Sequence, residues 1–153
     1  MITIYFDGLC ESAYLGGPRN PGGVATYGYV IYQNGNTIKR GYRAIGEGAG
    51  MTNNVAEFGA LKRALEWFDE QGIEDEIVIK GDSMLVINQI KGIWQVRSQT
   101  SRKYVPEIKR LLRGKRVRLE WVKRENNAEA DSLSRIAYRN YMNEKMERRK
   151  GNK

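Results

Sequence analysis

The sequence predicts an α/β fold: a five-stranded mixed sheet, three antiparallel strands then two parallel ones, covered by helices on both faces. Three observations predict it. The first 44 or so residues alternate apolar and polar side chains with a period of two, broken by turn residues. After residue 50 the apolar period changes to that of helices. The later strands are then separated by helical stretches, as parallel neighbours require.

Ile2, Ile4 and Phe6 alternate with Thr3 and Tyr5 in a first strand ending at Asp7-Gly8. The Gly- and Pro-rich stretch from 16 to 23 is turn chemistry throughout. A second strand is expected over 24–32 and a third over 37–44, joined by the hairpin signal Asn34-Gly35. Gly46, Gly48 and Gly50 read as a loop. Thr52-Asn53-Asn54 opens a long helix to about residue 71, with either Asn as N-cap. Phe58, Leu61, Leu65 and Phe68 recur along it at helical spacing.

The β-branched run from 77 to 79 is a buried fourth strand, ending at Gly81-Asp82. A helix follows from about 84 to 90, and another from about 102 to 114. Val117, Leu119 and Trp121 mark the fifth strand. A last helix starts near Asn127 and carries Ala130, Leu133, Ala137 and Tyr141. The expected domain spans residues 1–142, followed by a charged, frayed tail over 143–153.

Composition narrows the chemistry. The 153 residues include no histidine and one cysteine, which excludes Ser-His-Asp and Cys-His catalysis and argues against structural zinc. A single cysteine forms no internal disulfide and fits a reducing cytoplasm. No apolar run is long enough to span a membrane, and the N-terminus reads as a strand. The net charge of +8 is either a solvated basic surface or the footprint of a polyanion; the folded patterning favours a nucleic-acid partner.

Against that basic background four acids stand out by position. Asp7 ends the first strand and Asp82 the fourth. If those strands are parallel neighbours, both carboxylates emerge at one sheet edge, where ligands bind in open α/β sheets. Glu57 shares a helical stripe with Leu61, Ala64 and Phe68, so it stands at the rim of a buried face. Asp131 lies early in the last helix. Each has an ordinary reading alone: Asp7 as a turn former, Glu57 as part of a cap, Asp82 as an N-cap, Asp131 as a first-turn acid. Together they are costly, at ~4 kcal/mol of repulsion per pair at 4 Å and an effective dielectric near 20, unless they hold cations or protons. An all-oxygen set selects hard divalent ions, Mg²⁺ first.

At this point Tyr5-Phe6-Asp7-Gly8, Asn20-Pro21-Gly22-Gly23, Thr52-Asn53-Asn54-Val55-Ala56-Glu57, Gly81-Asp82-Ser83 and Asn126-Asn127-Ala128-Glu129-Ala130-Asp131 occur in order. In these motifs the chain resembles type 1 ribonuclease H, in the shorter prokaryotic form without a separate basic protrusion. The resemblance implies a ribonuclease-H-like fold and endonucleolytic hydrolysis of the RNA strand of RNA/DNA hybrids, leaving 3′-hydroxyl and 5′-phosphate ends. It makes Asp7, Glu57, Asp82 and Asp131 the catalytic acids, binding two Mg²⁺ ions, with Mn²⁺ as a substitute. It also implies contacts to the hybrid from Cys10, Asn20, Thr52, Asn53 and Asn54. Trp94, beside Arg97, Arg102 and Lys103, reads either as core or as a nucleic-acid contact. A monomer in the cytoplasm is expected.

The sequence departs from the family in three places. The loop between Cys10 and Asn20 is several residues longer than usual. The loop before the last acid, residues 123–127, lacks the histidine many members carry. Met84 stands where a glutamine is common. Two other classes compete: a non-catalytic duplex-binding module of the same fold, and a strand-transfer enzyme of the wider superfamily. The four acids argue against the first and the short chain against the second.

Overall fold

The computed structural model describes residues 1–15 and 22–151. Asn20 and the turn-rich stretch from 16 to 21 lie outside the described residues. Five strands form one sheet in the order β3-β2-β1-β4-β5. They are β1 (Ile2–Glu11), β2 (Gly23–Gln33), β3 (Asn36–Gly48), β4 (Ile77–Gly81) and β5 (Val117–Trp121). The pairings β1·β2 and β2·β3 are antiparallel; β1·β4 and β4·β5 are parallel. The helices are α1 (Asn53–Glu70), α2 (Met84–Lys91), α3 (Gln99–Leu112) and α4 (Ala128–Gly151), the last entered through a 3-10 turn at Arg124–Asn127. The expected element order therefore holds, with that turn added.

Two glycines set how closely the helices approach the sheet. A Cβ on Gly8 would lie 2.2 Å from the backbone nitrogen of Glu57, so α1 crosses β1 at a point only glycine allows. A Cβ on Gly28 would lie 2.4 Å from the carbonyl of Ala130, so α4 does the same on β2. Gly28 is paired directly with Asp7 and shares its face, whereas Gly8 is on the opposite face. Hence α1 and α4 cover opposite sides of the sheet. The α1 side holds the main core: Ile2, Ile4 and Phe6 pack with Phe58, Leu61, Leu65 and Phe68, and α3 adds Val105 and Ile108. On the other side Ala130, Leu133 and Ala137 are buried, and Thr26 donates its hydroxyl to the carbonyl of Ser134 at 2.9 Å.

Several element ends differ from expectation, each for a local reason. β1 runs on to Glu11, so Asp7 is inside the strand and does not end it. Its parallel partner β4 stops at Gly81, opposite Phe6, while β2 accompanies β1 to the end. β3 continues to Gly48, taking in two glycines expected in a loop. The irregularity that bypasses Ile45 leaves that side chain against Gly59 of α1. Thr52, not an asparagine, caps α1: its hydroxyl oxygen accepts from Val55 N–H at 3.1 Å. α3 starts at Gln99 because Ser98 caps it, accepting from Ser101 N–H at 3.0 Å. α4 passes through residues 143–151 as helix, where the sequence suggested a frayed tail.

Candidate active site

The four acids converge where the sheet changes its pairing. Beyond Phe6, β1 has lost its neighbour on the β4 side, which opens a cleft at the end of β4. Asp7 lies at this step and Asp82 just past the end of β4, so the parallel register sets them side by side as expected. Asp82 is not the cap of α2; Ser83 is, with its hydroxyl oxygen accepting from Val86 N–H at 3.3 Å. The capping explanation of Asp82 therefore fails. Glu57 comes from the other side, carried in by the close crossing of α1 over Gly8. One carboxylate oxygen each from Asp7, Glu57 and Asp82 lie within 4.8 Å of one another.

Asp131 is in the first turn of α4, held against the Asp7 face by the crossing at Gly28. It lies near enough to Asp7 to help raise that carboxyl, and it pairs with Arg135 Nε at 3.1 Å. It belongs to the same cavity, about 470 Å³ in volume, but sits outside the tightest triplet. Gly8, Leu9, Cys10, Glu11, Asn53, Trp121 and Arg124 complete the lining.

Crowding shows in the protonation of these groups. Asp7 is 5% exposed, and its carboxyl is pushed up to about 8, first by burial and then by the charge of Asp82. Burial, then Asp7 and Asp82, raise Glu57 well above the usual carboxylate range. Glu57 Oε2 is buried with no hydrogen-bond partner. A bare cluster of this kind keeps protons it would release to a cation. Its donors are all carboxylate oxygens, one of them unpartnered, with no nitrogen or sulfur ligand near except the Cys10 thiol, which burial pushes up. That set fits a hard divalent cation.

Of the expected substrate contacts, Cys10 and Asn53 line the cavity and are joined: the Asn53 side-chain carbonyl accepts the Cys10 N–H at 3.0 Å. Thr52 and Asn54 flank Asn53 at the start of α1. Trp94 is 44% exposed, which removes the core reading; it stands apart from the residues lining the cavity.

Three further residues were missed from the sequence. Asn127, 1% exposed, donates to the carbonyl of Phe6 at 2.8 Å and makes a longer contact with Asp82 Oδ1 at 3.5 Å. It thus ties the turn before α4 to both strands that bear acids. The Trp121 indole donates to the backbone carbonyl of Asp82 at 3.1 Å. Arg124 lines the cavity and forms no ion pair among the described residues. The motif around Asn127 was visible, but its reach back to β1 needed the fold.

A family model described as reverse transcriptase-like matches residues 16–137. The chain is 33% identical over 140 residues to ribonuclease HI of Halobacterium salinarum, covering 89% of this chain and 63% of that protein. It is 31% identical over 137 residues to an uncharacterised protein of Bacillus subtilis, YpeP, covering 88% of this chain and 57% of that one. The chain thus spans about 60% of the length of these curated relatives. Among solved structures, ribonuclease H1 of Halobacterium salinarum superposes with a TM-score of 0.75 at 33% identity, covering 91% of this chain and 98% of that one. LC11-RNase H1, in a crystal structure with an RNA/DNA hybrid, gives 0.74 at 34% identity, covering 90% and 96%. The chain belongs to the reverse transcriptase-like family and, within it, to the type 1 ribonucleases H.

Proposed function

We propose that this chain is an endoribonuclease that hydrolyses the RNA strand of RNA/DNA hybrids, leaving 3′-hydroxyl and 5′-phosphate ends. The observation that carries the reading is the triplet of Asp7, Glu57 and Asp82 oxygens within 4.8 Å of one another at the mouth of a cleft. A chain of net charge +8 that gathers three acids, one of them buried, at one point is built to hold cations against a polyanion. The catalytic and metal-binding acids are then Asp7, Glu57, Asp82 and Asp131. When bound, two Mg²⁺ ions, or Mn²⁺ in their place, supply an activated water and neutralise charge on the leaving oxygen.

The protein's own groups do the rest. Asn127 and Trp121 hold the two sides of Asp82, one at its carboxylate and one at its backbone. Arg135 Nε, at 3.1 Å, holds the Asp131 carboxylate in place. Arg124, with no carboxylate partner among the described residues, offers a guanidinium to the phosphate that enters the cavity. With Asn53 Oδ1 turned towards Cys10 N–H, its amide N–H groups are the donors offered to substrate, and they suit a 2′-hydroxyl acceptor. Asn54 and Cys10 contact the same groove, Thr52 flanks it, Asn20 is a further contact to the hybrid, and Trp94 meets the DNA strand farther along. No helix of the described residues is long and apolar enough to cross a membrane. The chain acts as a monomer in the cytoplasm, with the ribonuclease H domain over 1–142.

The test is cleavage of an end-labelled hybrid in Mg²⁺, with mapping of the product ends. Cuts within the RNA strand that leave extendable 3′-hydroxyls, lost in Asp82→Asn, support the reading. A chain that binds the hybrid and leaves it intact is instead a duplex-binding module.

A further inference from the structure

The outer half of α4 is the strongest feature that the catalytic site does not use. Residues 143–151 are rich in charge, and a bland reading leaves them solvated. The structure gives them a partner. When β1 ends at Glu11, the carbonyls that follow lose the N–H donors of a neighbouring strand and need other donors. α4 supplies three. The Tyr138 hydroxyl donates to the carbonyl of Ser12, Lys145 Nζ to that of Ala13 at 3.0 Å, and Arg149 Nη1 to that of Leu15 at 2.7 Å. Tyr138, Tyr141, Lys145 and Arg149 follow one another at spacings of three, four and four, so they form one stripe on the helix. Tyr141 and Lys145 also bind Glu47 near the end of β3, at 2.8 Å each. The stripe therefore holds the chain leaving β1 and the edge strand together.

The residues just before this grip line the catalytic cavity. Leu9, Cys10 and Glu11 are part of its wall, and Cys10 N–H is fixed from the other side by Asn53. The end of β1 is thus pinned on one side by the start of α1 and on the other by the outer half of α4.

We propose that the Tyr138-Lys145-Arg149 stripe is a positioning clamp: it fixes the segment after β1 so that Cys10 and Asn53 meet the hybrid in one register, and so sets substrate affinity without touching the reacting atoms. This rests on the reading of the cavity as a hybrid-cutting site. Free backbone carbonyls held by long cationic side chains are a costly arrangement for ordering a loop, since each side chain loses rotamer freedom. Such ordering is useful where the loop's neighbour must be rigid before substrate arrives.

The experiment compares two double variants of equal charge. Lys145→Ala/Arg149→Ala releases the clamp. Arg139→Ala/Lys150→Ala removes the same charge from exposed residues of α4 that lie outside the stripe, Lys150 facing Glu147 instead. For each, hybrid Kd is measured in chelator, KM and kcat are measured in Mg²⁺, and amide exchange is followed over residues 11–15 without substrate. The clamp predicts faster exchange and a three- to tenfold rise in Kd and KM in the first variant only, with kcat within twofold of the starting protein. Lys145→Arg/Arg149→Lys should restore most of the affinity. Equal weakening in both Ala variants would mean bulk charge alone and overturn the clamp, as would faster exchange with unchanged Kd. If the unaltered chain cuts no hybrid, the catalytic reading has failed, and the chelator Kd and exchange data still decide the clamp.

Discussion

Asp7 carries the most information per residue. Its carboxyl is pushed up to about 8 from an ordinary 3.8. Between those values the folded, metal-free chain keeps a proton that the unfolded chain has released. The stability this group contributes is therefore complete below about pH 4 and is lost as pH rises through about 8. Asp7→Asn removes that dependence. In chelator the variant should melt level with or above the starting protein near pH 8, by ~1 kcal/mol after screening, and the gap should shrink as pH falls. Hybrid cleavage in Mg²⁺ should drop by orders of magnitude. A structural Asp7 would give the reverse, a destabilised but active protein. The sequence singled out all four acids by position, yet it could not exclude a capping role for Asp82, because Ser83 competes for the same N–H groups and only geometry shows which side chain wins.

At the scale of elements, two kinds of contact separate. Caps hold helices in place, and glycine crossings bring acids together. Ser83→Ala removes the cap of α2 and should cost ~1 kcal/mol while leaving most of the activity. Gly8→Ala puts a methyl carbon where the Glu57 nitrogen already stands, so α1 must move outward. It should cost about 1–3 kcal/mol and, unlike the cap variant, cut activity far more than its stability loss explains, because Glu57 retreats from Asp7. Thermal melts beside cleavage rates for the two variants check this. Equal losses of activity would show that the crossing has no special role. The strand and helix order was legible from periodicity alone. The boundaries of β1 and β3 were not, because a strand ends where its partner ends, and partners are set by the whole sheet. The helical course of residues 143–151 was hidden for a related reason: polar contacts with the segment after β1 and with Glu47, not an apolar stripe, give that half of α4 its packing.

For the molecule as a whole, charge is divided by purpose. The net +8 is spread over the surface, while Asp7, Glu57 and Asp82 gather at one cleft. Phosphate contacts from Lys and Arg should make hybrid binding fall with salt. Four to six contacts give a log–log slope of about −3 to −5, and a flat titration of Kd against salt would remove the electrostatic account. Whether the acid cluster is a metal-dependent site for cutting RNA paired with DNA is decided by one comparison. Matched RNA/DNA, RNA/RNA and DNA/DNA duplexes of one sequence are incubated with the chain in Mg²⁺ and in excess chelator. A metal-dependent hybrid nuclease cuts the RNA strand of the hybrid in Mg²⁺, cuts nothing in chelator and leaves the DNA/DNA duplex intact; hybrid cleavage that survives chelator, or DNA/DNA cut at a comparable rate, would refute that function.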